Sequence, residues 1–126
     1  MRAIDTNVLV RLLVRDDPKQ VAAAEAYVAG GAWVSLLALV ETVWVLDAVY
    51  ELKPRSLAAA LEMLLDHQSL AIQDGELVAA ALAAFRAHPK VGFSDCVMVE
   101  LARRAGHLPL GTFDRALAKL DGAEKV

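Results

Sequence analysis

The 126-residue chain has one cysteine, Cys96, four prolines, and only 6% aromatic residues. A lone thiol cannot form an intrachain disulfide. That excludes a disulfide-stapled scaffold and favours a reducing compartment. Basic residues are also few: Lys and Arg sum to 13 against 16 Asp and Glu, for a net charge of -3. This balance argues against a general basic nucleic-acid binder, although metal ions held in an acidic site would change it locally. No long apolar run is present. The longest uncharged stretch, Ala26 to Val40, is interrupted by Gly30-Gly31 and falls short of the roughly 20 residues that span a bilayer. The opening Met1-Arg2-Ala3-Ile4-Asp5 lacks the apolar core and small-residue cleavage site of a signal peptide. A cytoplasmic protein with no membrane segment is expected. No repeat and no low-complexity linker divides the chain.

What the chain has is apolar content: 57% hydrophobic and 23% charged residues, with a mean hydropathy of +0.43. That excludes a disordered polymer. A chain of this length buries roughly two-thirds of its unfolded surface, so one domain over 1–126 is expected. The surplus apolar content suggests a partner surface.

Short apolar runs alternate with helical stretches. Strands are expected at 1–4, 32–34, 70–72 and 108–111, with an edge strand at 124–126. Helices are expected at 6–15, 18–29, 36–50, from Pro54, from Asp74 as cap to Ala87, from Ser94-Asp95 to Gly106, and a last short one to Leu120. Val97, Met98, Leu101 and Ala105 are expected on one face of the sixth helix. Strands separated by helices pair in parallel. The expected product is an α/β fold, a three-layer α/β/α sandwich with a small central parallel sheet. Such sheets bind ligands beyond the carboxyl ends of their strands.

Acids cluster at those positions. Asp5 directly follows the first strand, and Asp114 closely follows the fourth. Asp95 begins a helix. Each of the three also stands where Asp serves as a helix N-cap, so capping and chemistry remain open for each. Glu41 has no capping position. On its helix it neighbours Leu37, Ala38, Trp44 and Val45. There it must reach water, find a partner or stay protonated. Four converging carboxylates would repel one another. Mg2+ or Mn2+, which take oxygen ligands, would resolve that conflict. Cations held this way activate water and clamp a phosphate, so phosphodiester hydrolysis is the chemistry expected.

Ile4-Asp5-Thr6-Asn7-Val8-Leu9, Asp16-Asp17-Pro18 with Gln20 and Ala23-Ala24, Glu41-Thr42-Val43-Trp44-Val45-Leu46, Phe93-Ser94-Asp95 and Thr112-Phe113-Asp114 follow one another in order. In this order and spacing the chain resembles the PIN-domain family, and more narrowly the VapC toxins of toxin–antitoxin pairs. The resemblance covers essentially the whole chain. It implies a Mg2+- or Mn2+-dependent endoribonuclease that cleaves RNA, often a tRNA or an rRNA loop. It also implies a homodimer held inactive by a cognate VapB-like antitoxin. Carried onto matching positions, Asp5, Glu41 and Asp95 would be the core metal ligands. Asp114 would be the fourth acid, direct or through water, with Thr112 the hydroxyl residue beside it. One departure is visible: many members carry an acid near the position of Val91-Gly92. A glycine there is expected to loosen the loop.

Other residues read more plainly. Arg15 suits the negative end of its helix, while Arg11 is open to an RNA phosphate contact. Arg86 and Lys90 are expected to be solvated. His67, His88 and His107 have no paired helical spacing and are not expected to bind metal. Trp33 and Trp44 are expected in core or dimer packing. Tyr27, Tyr50 and Phe85 are expected in the core or an interface, and Cys96 as a packed thiol. Two competing functions stand beside the nuclease. A phosphoaccepting receiver-like domain would need an acidic pair after strand one and a Lys after the last strand. Asp5 stands alone, and no Lys directly follows the fourth strand. A non-catalytic binding module would keep the carboxylates only as caps.

Overall fold

The computed structural model describes residues 1–126. They form two compact units, Met1–Gly75 and Glu76–Val126.

In the first unit, β1 (Arg2–Ile4) leads into α1 (Thr6–Val14) through Asp5. Asp5 has extended backbone, and its Oδ1 accepts from the Val8 amide at 3.1 Å, which caps the helix. Arg15 ends α1 in the left-handed region, with φ 59°. Asp17 then caps α2 (Pro18–Val28) by accepting from the Lys19 and Gln20 amides, and Pro18 fills the first helical position, where no N–H is needed. β2 (Ala32–Val34) passes through Ser35, whose hydroxyl oxygen accepts from Ala38, into α3 (Leu36–Ala48). α4 (Pro54–Asp66) and β3 (Leu70–Ile72) complete the unit. The sheet order is β1-β2-β3, with Ile4 opposite Val34 and Val34 opposite Ile72. The carboxyl ends of all three strands therefore align. Helix α1 packs on α2 and α3, over a core that includes Leu9, Val10, Leu39, Leu46 and Leu61.

α3 is apolar nearly all round. Only part of it is buried. Leu37 is 69% exposed and Trp44 67% exposed. Trp33 and Tyr27 are also partly exposed, so neither tryptophan is a core residue, and of the three other aromatics named above only Phe85 is buried. The local pattern supplies apolar residues on every side of this helix, and tertiary packing decides which side is covered.

The second unit holds α5 (Gly75–Ala87, beginning at the boundary), α6 (Phe93–Ala105), β4 (Leu110–Thr112) and β5 (Ala123–Lys125). Asp74 has φ 54°, not the extended backbone of an N-cap, so its expected capping role is corrected. Gly92 occupies the N-cap of α6 with φ -62°. Phe93 and Asp95 thus lie inside the helix, and Asp95 is in its first turn rather than before it. The buried stripe of α6 is Phe93, Cys96 and Val97, with Val99. Of the expected face only Val97 is buried; Met98, Leu101 and Ala105 are exposed. Phe93 fixes the rotation by meeting Phe85 edge to face, with ring centroids 6.1 Å apart.

β4 starts at Leu110, beyond Pro109, which has no N–H to give to a ladder. The last helix is only a 3-10 turn at Leu117–Lys119. β5 pairs in parallel with β4, Leu110 opposite Ala123 and Thr112 opposite Lys125. Every strand pairing is parallel. The architecture is a helix-rich α/β fold with a small parallel sheet.

Candidate active site

In the first unit, Asp5 leaves the carboxyl end of β1 as the cap of α1. The cap uses Oδ1 and leaves Oδ2 unshared. The next residue, Thr6, donates its hydroxyl to Glu41 Oε2 at 2.9 Å. Glu41 is exposed on α3, so it reaches water and also finds a partner. Thr6 therefore ties the strand-end aspartate to the helix glutamate through the chain itself. Thr6 is a positioning residue that the sequence signals only by its place in Asp5-Thr6-Asn7.

Below the same strand ends, Gln73 closes β3 against β2. Its amide donates to the Val34 carbonyl at 2.9 Å, and its side-chain Oε1 accepts from the Leu36 amide at 2.8 Å. This fixes the start of α3, and with it the direction in which Glu41 is carried.

Arg11 is not a free cation for RNA. It pairs with Asp16 and donates to the Tyr50 hydroxyl at 3.1 Å. The Tyr50 hydrogen bond and the Asp16 charge hold its guanidinium above the usual value. Arg15 pairs with Glu25.

In the second unit, Asp114 follows β4. Thr112 Oγ1 accepts from the Asp114 amide at 3.0 Å, and Asp114 Oδ1 accepts from the Leu117 amide at 2.8 Å. Thr112 thus orients the acid, which itself caps the 3-10 turn. Asp95 is half-buried, and burial followed by the Asp114 charge pushes its carboxyl above the usual value. The two carboxylates of this unit repel each other, as a pair of cation ligands without a cation does.

The structure brings together no group of three or more His, Cys, Asp or Glu able to hold a metal ion. Each unit carries two of the expected acids: Asp5 and Glu41 in the first, Asp95 and Asp114 in the second. The histidines remain outside them, and His67 Nδ1 accepts from the Ser69 amide.

A family model of the PIN domain matches residues 3–123. The chain belongs to the PIN-domain family. No curated protein matches it. The match spans both units, and PIN domains are generally metal-dependent nucleases. No helix of this PIN domain is long and apolar enough to cross a membrane.

Carboxylate oxygens are the kind of donor that a hard divalent cation takes. All four acids supply oxygen, and Asp5 and Asp114 each keep Oδ2 outside their caps. At the Val91-Gly92 departure, a Cβ on Gly92 would lie 3.6 Å from Asp95 Oδ2, an ordinary contact, so the glycine is not required there by space or backbone.

Proposed function

We propose that this PIN domain is a Mg2+- or Mn2+-dependent endoribonuclease, the toxin of a type II toxin–antitoxin pair. Residues 1–126 act as one catalytic domain in this reading, and Asp5, Glu41, Asp95 and Asp114 are the ligands of its cation site. Family membership across both units supports it. The observation that carries it is that only two of the four acids are spent on helix caps. Asp5 and Asp114 do cap helical turns, as a plain binding module would require. Glu41 and Asp95 cap nothing. Glu41 is instead held by Thr6, and Asp95 stands at a raised carboxyl value beside Asp114.

A bound cation would supply an activated water and a clamp on the phosphate. The chain's own residues position the ligands. Thr6 holds one carboxylate oxygen of Glu41, and Thr112 holds the backbone of Asp114. The caps at Asp5 and Asp114 pin one oxygen of each, which lowers the entropy cost of presenting the other. The net charge of -3 agrees with binding RNA through a cation rather than through a basic face. The same reading assigns a homodimer, a VapB-like antitoxin as inhibitor, and a cytoplasmic location.

The test is cleavage of single-stranded RNA by the purified chain. EDTA is expected to stop it and Mg2+ or Mn2+ to restore it. Glu41→Gln and Asp95→Asn are each expected to lose more than the roughly 100-fold that removal of an outer-shell partner costs. Cleavage that persists undiminished in both variants would end the assignment.

A further inference from the structure

Beside Asp5 lies a cavity of about 390 Å³, formed by residues of α1 and α2. Its size falls in the range of roughly 300 to 1,000 Å³ that small-ligand sites occupy. Asn7, Gln20 and Tyr27 line it, along with Arg11 and Ala24. The Asn7 and Gln20 carboxamides make no hydrogen bond to the rest of the chain and are exposed. Arg11, by contrast, is fully engaged by Asp16 and Tyr50. The Arg2 guanidinium lies over the Tyr27 ring, 3.7 Å from its centroid, and covers one face of it.

We propose that this cavity is a nucleobase subsite, taking the unpaired base next to the scissile phosphate. The proposal deepens the ribonuclease reading and rests on it for the position of that phosphate. Two free carboxamides present donors and acceptors suited to a base edge, since Asn and Gln pair bidentately with adenine. Tyr27, which lines the cavity, supplies an aromatic side chain of the kind on which unpaired bases stack. A base can enter only if it is out of a duplex, so the substrate is single-stranded at this nucleotide. Asp5 lines the same cavity, so the held base lies within one nucleotide of an acid of the proposed catalytic set. Asn7 and Gln20 would then set which base is accepted there.

The experiment has two arms, both on the full chain. In the first, the four nucleoside 5′-monophosphates are titrated into the protein by calorimetry without divalent metal. At least one is expected to bind, and Gln20→Ala and Asn7→Ala are each expected to weaken it about tenfold, within the range for one lost bidentate contact. In the second, a randomised single-stranded oligonucleotide pool is cleaved and the cut sites are sequenced. A base preference is expected at one position flanking the cut, and Gln20→Ala is expected to flatten it while cleavage continues. Binding that depends on Gln20 in a chain that cuts no RNA would support the subsite and sink the nuclease reading. Cleavage with an unchanged preference in the Asn7→Ala, Gln20→Ala double variant would overturn the subsite and leave the nuclease reading intact. Absence of binding by all four nucleotides would also overturn it.

Discussion

Thr6 donates its hydroxyl to Glu41 Oε2 at 2.9 Å across 35 residues of chain, so the first residue of α1 sets the orientation of a carboxylate on α3. The bond is exposed to solvent, and its net contribution to stability is correspondingly small, about 0.5–1.5 kcal/mol at most. Its importance is geometric. Thr6→Val is expected to lower RNA cleavage by roughly 10- to 100-fold, as loss of an outer-shell partner does, with little change in melting temperature. Thr6→Ser is expected to retain most of the activity. Equal activity in the valine and wild-type proteins would remove Thr6 from the site.

Asp5 has two separable roles. Asn caps helices about as well as Asp, whereas Ala costs about 1 kcal/mol. Asp5→Asn is therefore expected to keep the wild-type melting temperature and abolish cleavage. Asp5→Ala is expected to lose both. Thermal melts of the two variants beside a cleavage assay check this, and a cleaving Asp5→Asn protein would leave Asp5 only as a cap.

The raised carboxyl of Asp95 carries a sign. The folded protein holds that proton more tightly than the unfolded chain. Its contribution to stability is thus present at acid pH and is lost as pH rises through the carboxylate range. Asp95→Asn is expected to raise the melting temperature at pH 7 in EDTA by about 2 °C, the effect of roughly 0.5 kcal/mol after allowing for solvent screening. MgCl2 is expected to raise the melting temperature of the wild type more than that of the variant. Equal responses to MgCl2 would show that Asp95 binds no cation.

Cys96 is solvent-inaccessible, and burial, with the nearby Asp95 charge, pushes its thiol up to about 11. A neutral buried thiol is a poor nucleophile. Native protein is expected to resist a thiol-specific disulfide reagent at pH 8 and to react at once in denaturant. Because the unfolded thiol ionises first, stability is expected to fall as pH rises from about 9 towards 11. Rapid labelling of the native protein would contradict the burial.

Gly122 sits at φ 93°, where a Cβ would meet Arg103 Nη2 at 2.9 Å and Val99 Cγ1 at 3.1 Å. Gly122→Ala is expected to cost about 1–3 kcal/mol by chemical denaturation. The loss comes from backbone strain at the entry to β5 and from displacement of Arg103, which donates to the Asp121 carbonyl.

The elements of Met1–Gly75 were the most legible. Pro18 and Pro54 mark the first positions of α2 and α4, and the short runs at 32–34 and 70–72 form β2 and β3 as read. Their signals are local: a missing N–H, a capping oxygen, a run too short for a helix. Residues 93–126 were harder. α6 carries apolar residues on more than one side, and of Val97, Met98, Leu101 and Ala105 only Val97 is buried, beside Phe93, Cys96 and Val99. Amphipathic spacing identifies a stripe without saying which surface will cover it. Likewise Pro109 displaces β4 by two residues, and the last helical turn shrinks to Leu117–Lys119.

The same division holds for the site. Residue types alone placed Asp5 and Asp114 after strands, because a short apolar run followed by Asp is both a strand end and a cap. They placed Glu41 among apolar neighbours but left its fate open. Only the tertiary structure supplied Thr6 as its partner, tied Arg11 to Tyr50, and brought the charge of Asp114 to bear on Asp95. Backbone preferences and helix caps act over three or four residues and are written in the local order of side chains. A hydroxyl meeting a carboxylate 35 residues away depends on how α1 packs against α3, and no spacing along the chain encodes that distance.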